Sequence, residues 1–171
     1  MEVGRAMLID DLSHPGAGQA WRLFTDQVMG GVSAGSLQRE VVAGRPALRL
    51  RGGVRLENNG GFVQMARDLP LDAGPFAAFE LDVWGNGEVY GLHLKTRDTV
   101  RPWQSYRQSF TALPRWQRVV LPLDGFERHR VEAPFDRSAL RRVGLVAIGR
   151  AFEADLALAR FVLTAAEPSP G

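Results

Sequence analysis

Three short stretches of this sequence hold residue types that bind or transform ligands: TDQVMGGVSAGSL at 25–37, LENNGGFVQM at 56–65 and RDTVRPWQSYRQSF at 97–110. The first has glycines and small polar residues, as phosphate-binding loops do. It lacks the Lys of a Walker loop, and the spacing and following helix of a dinucleotide fingerprint. Ser33 sits in Gly-Val-Ser-Ala-Gly, which matches the spacing of a nucleophile elbow. An elbow needs a strand-to-helix turn to lift the serine, and the residues after Ser33 alternate as a strand does. His14, His93 and His129 supply a base by residue type only, so no catalytic residue is assigned.

Metal chemistry finds no pattern either. The three histidines are far apart, no His-x-x-x-His or paired acidic loop is present, and there is no cysteine for a thiolate site, disulfide or cluster. Asp10 and Asp11 are compatible with a calcium ion, but none is assigned, and no cofactor is expected. Glu80 and Asp82, two apart on a strand, would lie ~7 Å from one another at their Cα atoms, a spacing that structural pairs share with glycosidase carboxylates. In the second stretch Asn58, Asn59, Gly60 and Gly61 tolerate left-handed backbone and read as a turn or bulge, with side-chain amides at a sheet rim. In the third, Trp103, Gln104, Tyr106 and Arg107 beside Pro102 have the composition of a binding loop for a sugar or another protein.

The elements that must position these groups are strands. Period-two alternation marks 19–24, 36–42, 47–52, 61–69, 78–85, 88–97, 105–112, 116–123, 143–149 and 154–165, separated by Gly, Pro, Asn and Asp clusters. That is the pattern of an all-β sandwich or barrel. Gly85, Asn86 and Gly87 predict a hairpin between 78–85 and 88–97. The hairpin would present Glu80, Asp82 and Trp84 beside His93, Lys95 and Arg97 on one face, as an ordinary solvated ladder or the floor of a polar groove. Only 136–144 reads as helical, for one or two turns, with Asp136 as its N-cap.

A length of 171 residues with 45% hydrophobic and 23% charged residues suits one soluble domain, here 1–165, followed by a disordered tail at 166–171. No apolar run reaches the ~18 residues of a membrane span, and the acidic start lacks a signal-peptide pattern, so a cytoplasmic protein without membrane insertion is expected. The net charge is +2, and every basic residue except Lys95 is arginine. Those arginines are scattered rather than gathered into a stripe, which argues against nucleic acid.

The strings TDQVMGGVS (25–33), LENNGGFVQMA (56–66), GNGEVYGLHLKTRD (85–98), PWQSYR (102–107), WQRVVLPLDGF (116–126) and LRRVGLVAIG (140–149) together resemble the complex I intermediate-associated protein 30 family, in its order and from about Trp21 to Val162. The resemblance implies a jelly-roll β-sandwich similar to galactose-binding and carbohydrate-binding modules. Mitochondrial members are chaperone-like assembly factors for respiratory NADH:ubiquinone oxidoreductase. This sequence resembles the stand-alone bacterial form, and kinship of domain does not transmit that role.

The expectation is a non-enzymatic binding module for a protein partner, such as respiratory complex subunits, or for a small polar ligand such as a sugar. An enzyme of unassigned chemistry is the remaining alternative; it would need Asp26 or Asp82 to meet His93 or Arg97 in a pocket. The candidate site comprises Asp26, Ser33, Asn58, Asn59, Gln64, Arg97, Trp103, Gln104, Tyr106 and Arg107. Asn58, Asn59, Arg97, Trp103, Gln104, Tyr106 and Arg107 are expected to converge on one face or rim beside the 26–33 loop, with Met29 packed inside.

Overall fold

Alternating side chains force each strand to bury one face, and two such sheets bury those faces against one another. In the computed structural model, which describes residues 6–59 and 61–165 except the side chains of Val28, Met29 and Asn59, twelve strands form two six-stranded antiparallel sheets. The tail at 166–171, Gly60, and the side chains of Met29 and Asn59 lie outside the described residues.

Sheet A contains β1 (Ala6–Asp11), β3 (Ala34–Val42), β4 (Arg45–Val54), β6 (Phe76–Gly85), β9 (Gln117–Pro122) and β12 (Phe152–Ala165). β12 spans its centre: β6 pairs along one edge, while β4 and then β1 share the other. Sheet B runs in the order β10 (Glu127–His129), β8 (Ser105–Thr111), β7 (Val89–Thr96), β11 (Leu140–Ile148), β5 (Phe62–Leu71), β2 (Arg22–Thr25). The core fills the space between the sheets, with Leu81, Val83 and Phe161 from one meeting Leu92, Tyr106 and Leu145 from the other. Phe161 meets Trp21 edge-on at 5.6 Å and Phe79 in a tilted contact at 5.4 Å, favoured geometries for aromatic rings.

Two sequence expectations change here. Residues 78–85 and 88–97 are both strands, but they do not pair: β6 bonds to β12 and β9 in sheet A, and β7 to β11 and β8 in sheet B. The Gly85–Gly87 turn carries the chain from one sheet to the other, because Gly85 and Gly87 donate to Leu113 and Ala112 instead of closing a hairpin. Local turn chemistry specifies a reversal but not which sheet receives the next strand. The expected helix at 136–144 is one 3-10 turn, Arg137–Ala139, before β11 begins at Leu140. Asp136 does cap it, accepting from the Ser138 amide at 3.0 Å. β1 and the three-residue β10 are strands that alternation did not reveal.

Candidate functional site

The Asp-x-Val-Met-Gly-Gly-x-Ser stretch folds into a knot around one carboxylate. Asp26 begins a 3-10 turn and is fully buried, as is Ser33. The carboxylate accepts from the amides of Ser33 at 2.9 Å and Phe62 at 3.2 Å, and also from the Gly61 amide and the Ser33 hydroxyl. Burial pushes the Asp26 carboxyl up, but these four donors outweigh it and hold the group below its ordinary range. Gly30 ends the turn at φ 85°, and a Cβ on Gly31 would collide with the Asp26 carboxylate. The Ser33 hydroxyl oxygen also accepts from the Arg55 amide at 2.8 Å, and Asn58 reaches back to the Gly30 carbonyl at 3.2 Å. The motif therefore closes upon itself.

The other candidate residues do not gather beside it. Phe62, at the knot, pairs with Ile148 at one end of β11, while Thr96, which leads into the 97–104 loop, pairs with Leu140 at the other. The two loops are thus separated by the length of β11, roughly 26 Å at ~3.3 Å per residue. At the far end Arg97 pairs with Asp136 at 3.2 Å, and the Gln104 side chain bonds the Arg101 amide and the Arg130 carbonyl. Trp103 is 50% exposed there. Tyr106 belongs to the core, its hydroxyl donating to the Ala133 carbonyl at 2.7 Å, whereas Arg107, the next residue on β8, faces outward. Adjacent strand residues point to opposite faces, so Tyr106 and Arg107 cannot serve one surface site. Asp26, Ser33 and Tyr106 are interior groups, and the expected convergence is replaced by separate locations.

The expected acid–base ladder is also split. Asp82 lies on the outer face of sheet A, only 6% exposed, and is held by Arg118 at 2.9 Å and Arg45 at 3.0 Å. Burial raises its carboxyl, and the two guanidiniums overcome this and lower it. On the same face Arg49 bridges Asp155 at 2.7 Å and Glu40 at 2.9 Å and stacks over Trp84. His93 and Lys95 stand on the outer face of sheet B, so neither Asp26 nor Asp82 meets His93.

That second face contains a cleft of about 410 Å³ over β7, β8, β10 and β11. Register sets His93 opposite Arg107 and Arg107 opposite Glu127. Gly91 and Gly125 line it with the His93 ring lying over the first and the Gln108 amide over the second, Ser109 lies two residues beyond Arg107, and Val89, Val146 and Ile148 line one end. Gln64 lies on this face also, its amide oxygen folded over Gly144. Arg107 donates from Nε to the Ser105 hydroxyl at 2.8 Å, and no carboxylate pairs with it among the described residues. Burial, then the Arg130 charge, lowers its proton affinity. Burial, followed by the charges of Arg107, Lys95 and His129, pushes His93 down to about 3; burial, with Arg107 and Arg142, pushes Lys95 down to about 8. The Lys95 ammonium holds the carbonyls of Pro102, at 2.8 Å, and Gln104. A second hollow of about 310 Å³ lies beyond it, against the 97–104 loop.

Of the residues chosen by motif, only Arg107 lines this cleft. His93, Gln108, Ser109 and Glu127 were missed as a set. The alternation in 88–97 and 105–112 contained the signal, since His93, Arg107 and Ser109 occupy matching outward positions, but the pairing of the two strands did not show. No group of three or more His, Asp or Glu side chains suited to a metal ion occurs among the described residues, and no helix there is long and apolar enough to cross a membrane.

Two packed antiparallel sheets in this order define a jelly-roll sandwich of the carbohydrate-binding-module type. The structure is similar to the Family 11 carbohydrate-binding module of a cellulosomal cellulase of Clostridium thermocellum, with a TM-score of 0.78, 12% identity and 100% of each chain covered. A Family 11 module from Clostridium thermocellum in complex with a β-1,3-1,4-mixed-linked tetrasaccharide gives 0.77 at 13% identity, over 98% of this chain and 99% of that one. The Family 30 module of another cellulosomal cellulase of Clostridium thermocellum gives 0.56 at 15% identity, over 80% and 93%. At such identities the likeness is one of fold. None of the curated proteins matches the chain in sequence. The family profile described as complex I intermediate-associated protein 30 matches residues 11–159, and the chain belongs to that family.

Proposed function

We propose that this chain is a non-enzymatic binding module that holds a protein partner in the cleft on the outer face of sheet B. The observation that carries the reading is the cleft's polar wall: Arg107 stands half-buried with no carboxylate paired to it among the described residues, an arrangement suited to recognition rather than turnover. Catalysis is poorly served there. His93 has little proton affinity, and no hydrogen bond ties it to Ser109 or Glu127 among the described residues. The family description favours a partner associated with an intermediate of respiratory complex I, and an assembly role follows from it.

The test is an affinity capture from the native cell, with the retained proteins identified by mass spectrometry. Respiratory-complex subunits should be recovered with the wild type and lost about tenfold or more with Ser109→Trp, which fills the cleft from an exposed position. Equal recovery with a normally folded Ser109→Trp variant would exclude this cleft.

A sugar ligand is the second reading, favoured by the fold shared with a module that binds a tetrasaccharide and by the half-exposed Trp103. Among the described residues no Trp or Phe lines the cleft, and the ring of its Tyr90 is buried against Phe110 and Phe152, although exposed aromatic rings are the usual platforms for sugars. Binding on a glycan array that is abolished by Trp103→Ala would establish it; silence of the folded chain would remove it.

A further inference from the structure

Resting on the reading of the cleft as a partner site, we propose that it seats a single carboxylate, from an acidic side chain of a partner polypeptide, on the Arg107 guanidinium beside His93. The argument begins with how this protein treats its other withdrawn arginines. Arg49 is covered by two carboxylates, and Arg67 has the Asp10 carboxylate at 3.9 Å and the Ile9 carbonyl at 3.2 Å. Arg107 has one hydroxyl. A guanidinium taken from water without a counter-charge is costly, and supplying one carboxylate recovers that cost through a two-pronged hydrogen bond.

Charge counting selects the ligand. Arg150 is already paired with Glu88, and Lys95 is spent on two loop carbonyls. His93 is neutral at neutral pH. Glu127, facing Arg107 from β10, adds a negative charge at the opposite wall. Arg107 is thus a cation of the cleft with no carboxylate paired to it among the described residues, and one carboxylate supplies that pair. Glu127 repels a phosphate dianion about twice as strongly as a carboxylate monoanion at the same distance, and a neutral sugar leaves the guanidinium without a counter-charge. The carboxylate's source follows from the other end of the cleft, where Val89 and Ile148 present apolar surface. A polypeptide can place an apolar side chain there next to an acidic one, which a uronic acid cannot do.

The experiment titrates the full chain with a short blocked peptide of alternating Glu and Leu, the same peptide with Gln for Glu, oligogalacturonate, and inorganic phosphate. The Glu peptide should bind saturably, weaken about tenfold or more in Arg107→Gln, and be unaffected by Arg142→Gln, whose side chain pairs with Asp68 outside the cleft. Thermal melts confirm that each variant is folded. Equal binding of the Gln peptide, tighter binding of phosphate or galacturonate, or wild-type binding by Arg107→Gln would overturn the proposal. Cellular capture separates the two readings. If the Arg107→Gln variant keeps a partner that Ser109→Trp loses, the cleft stands and the carboxylate is wrong; if both variants keep it, both readings fall.

Discussion

Asp26 and Arg107 are both charged groups withdrawn from water, and they differ in what surrounds them. Asp26 is enclosed by four donors from two segments, so its charge is part of the fold. Arg107 has one neutral partner and opens onto a cleft. A satisfied buried charge stabilises what is already there, whereas an unsatisfied one waits for something to be added. The motif that makes the sequence distinctive is thus built into the fold, and the cleft proposed as a partner site lies elsewhere.

The contrast can be broken most forcefully at the knot. Asp26→Ala strands the amides of Ser33, Gly61 and Phe62, and should cost about 4 kcal/mol and lower the melting midpoint by about 10 °C. A smaller loss, measured by urea unfolding and calorimetry, would mean that the knot does not organise this end of the sheet.

The next effect is acid sensitivity at the cleft. His93 is depressed in the folded state, so below the unfolded value near 6.5 the unfolded chain takes up a proton that the native chain does not. Stability therefore falls as pH drops from about 6.5 toward about 3. His93→Gln should remove about 2 kcal/mol of the loss between about pH 7 and about pH 5, read from urea unfolding at both. The groups facing His93 are Arg107 on β8, Lys95 on β7 and His129 on β10. Arg107→Gln should consequently raise the His93 titration midpoint, followed by NMR, and an unmoved midpoint would place the guanidinium away from the imidazole.

On sheet A, Asp82→Ala takes the carboxylate from Arg45 and leaves Arg118 only Glu80 at 3.8 Å, but both arginines are partly solvated, so a cost of about 1 kcal/mol is expected by thermal unfolding. Arg107→Gln should be the mildest change, within about 0.5 kcal/mol of wild type, since it breaks no ion pair among the described residues. A large destabilisation there would make Arg107 a structural group and erase its contrast with Asp26.

Much of the architecture was legible because alternation is a local property. Period-two patterns located ten of the twelve strands, and the glycines of 30–31 correctly indicated a turn held by Asp26 and Ser33. β10 escaped because three residues are too few to show a period. The site was less legible: Tyr106 and Arg107 were grouped by composition although strand geometry sends them to opposite faces, and the chemistry-bearing loops proved to cap opposite ends of β11.

By itself the sequence determined the all-β class, the family and the closed Asp26 turn, because hydrophobic period, glycine placement and motif spacing act over a few residues. Only the tertiary structure decided that β6 and β7 enter different sheets and that β7 lies between β8 and β11. That pairing joins His93 to Arg107 while leaving Asp82 on the far side of the molecule. Strand order is set by burying two whole faces at once, a long-range requirement that no short stretch of chain encodes.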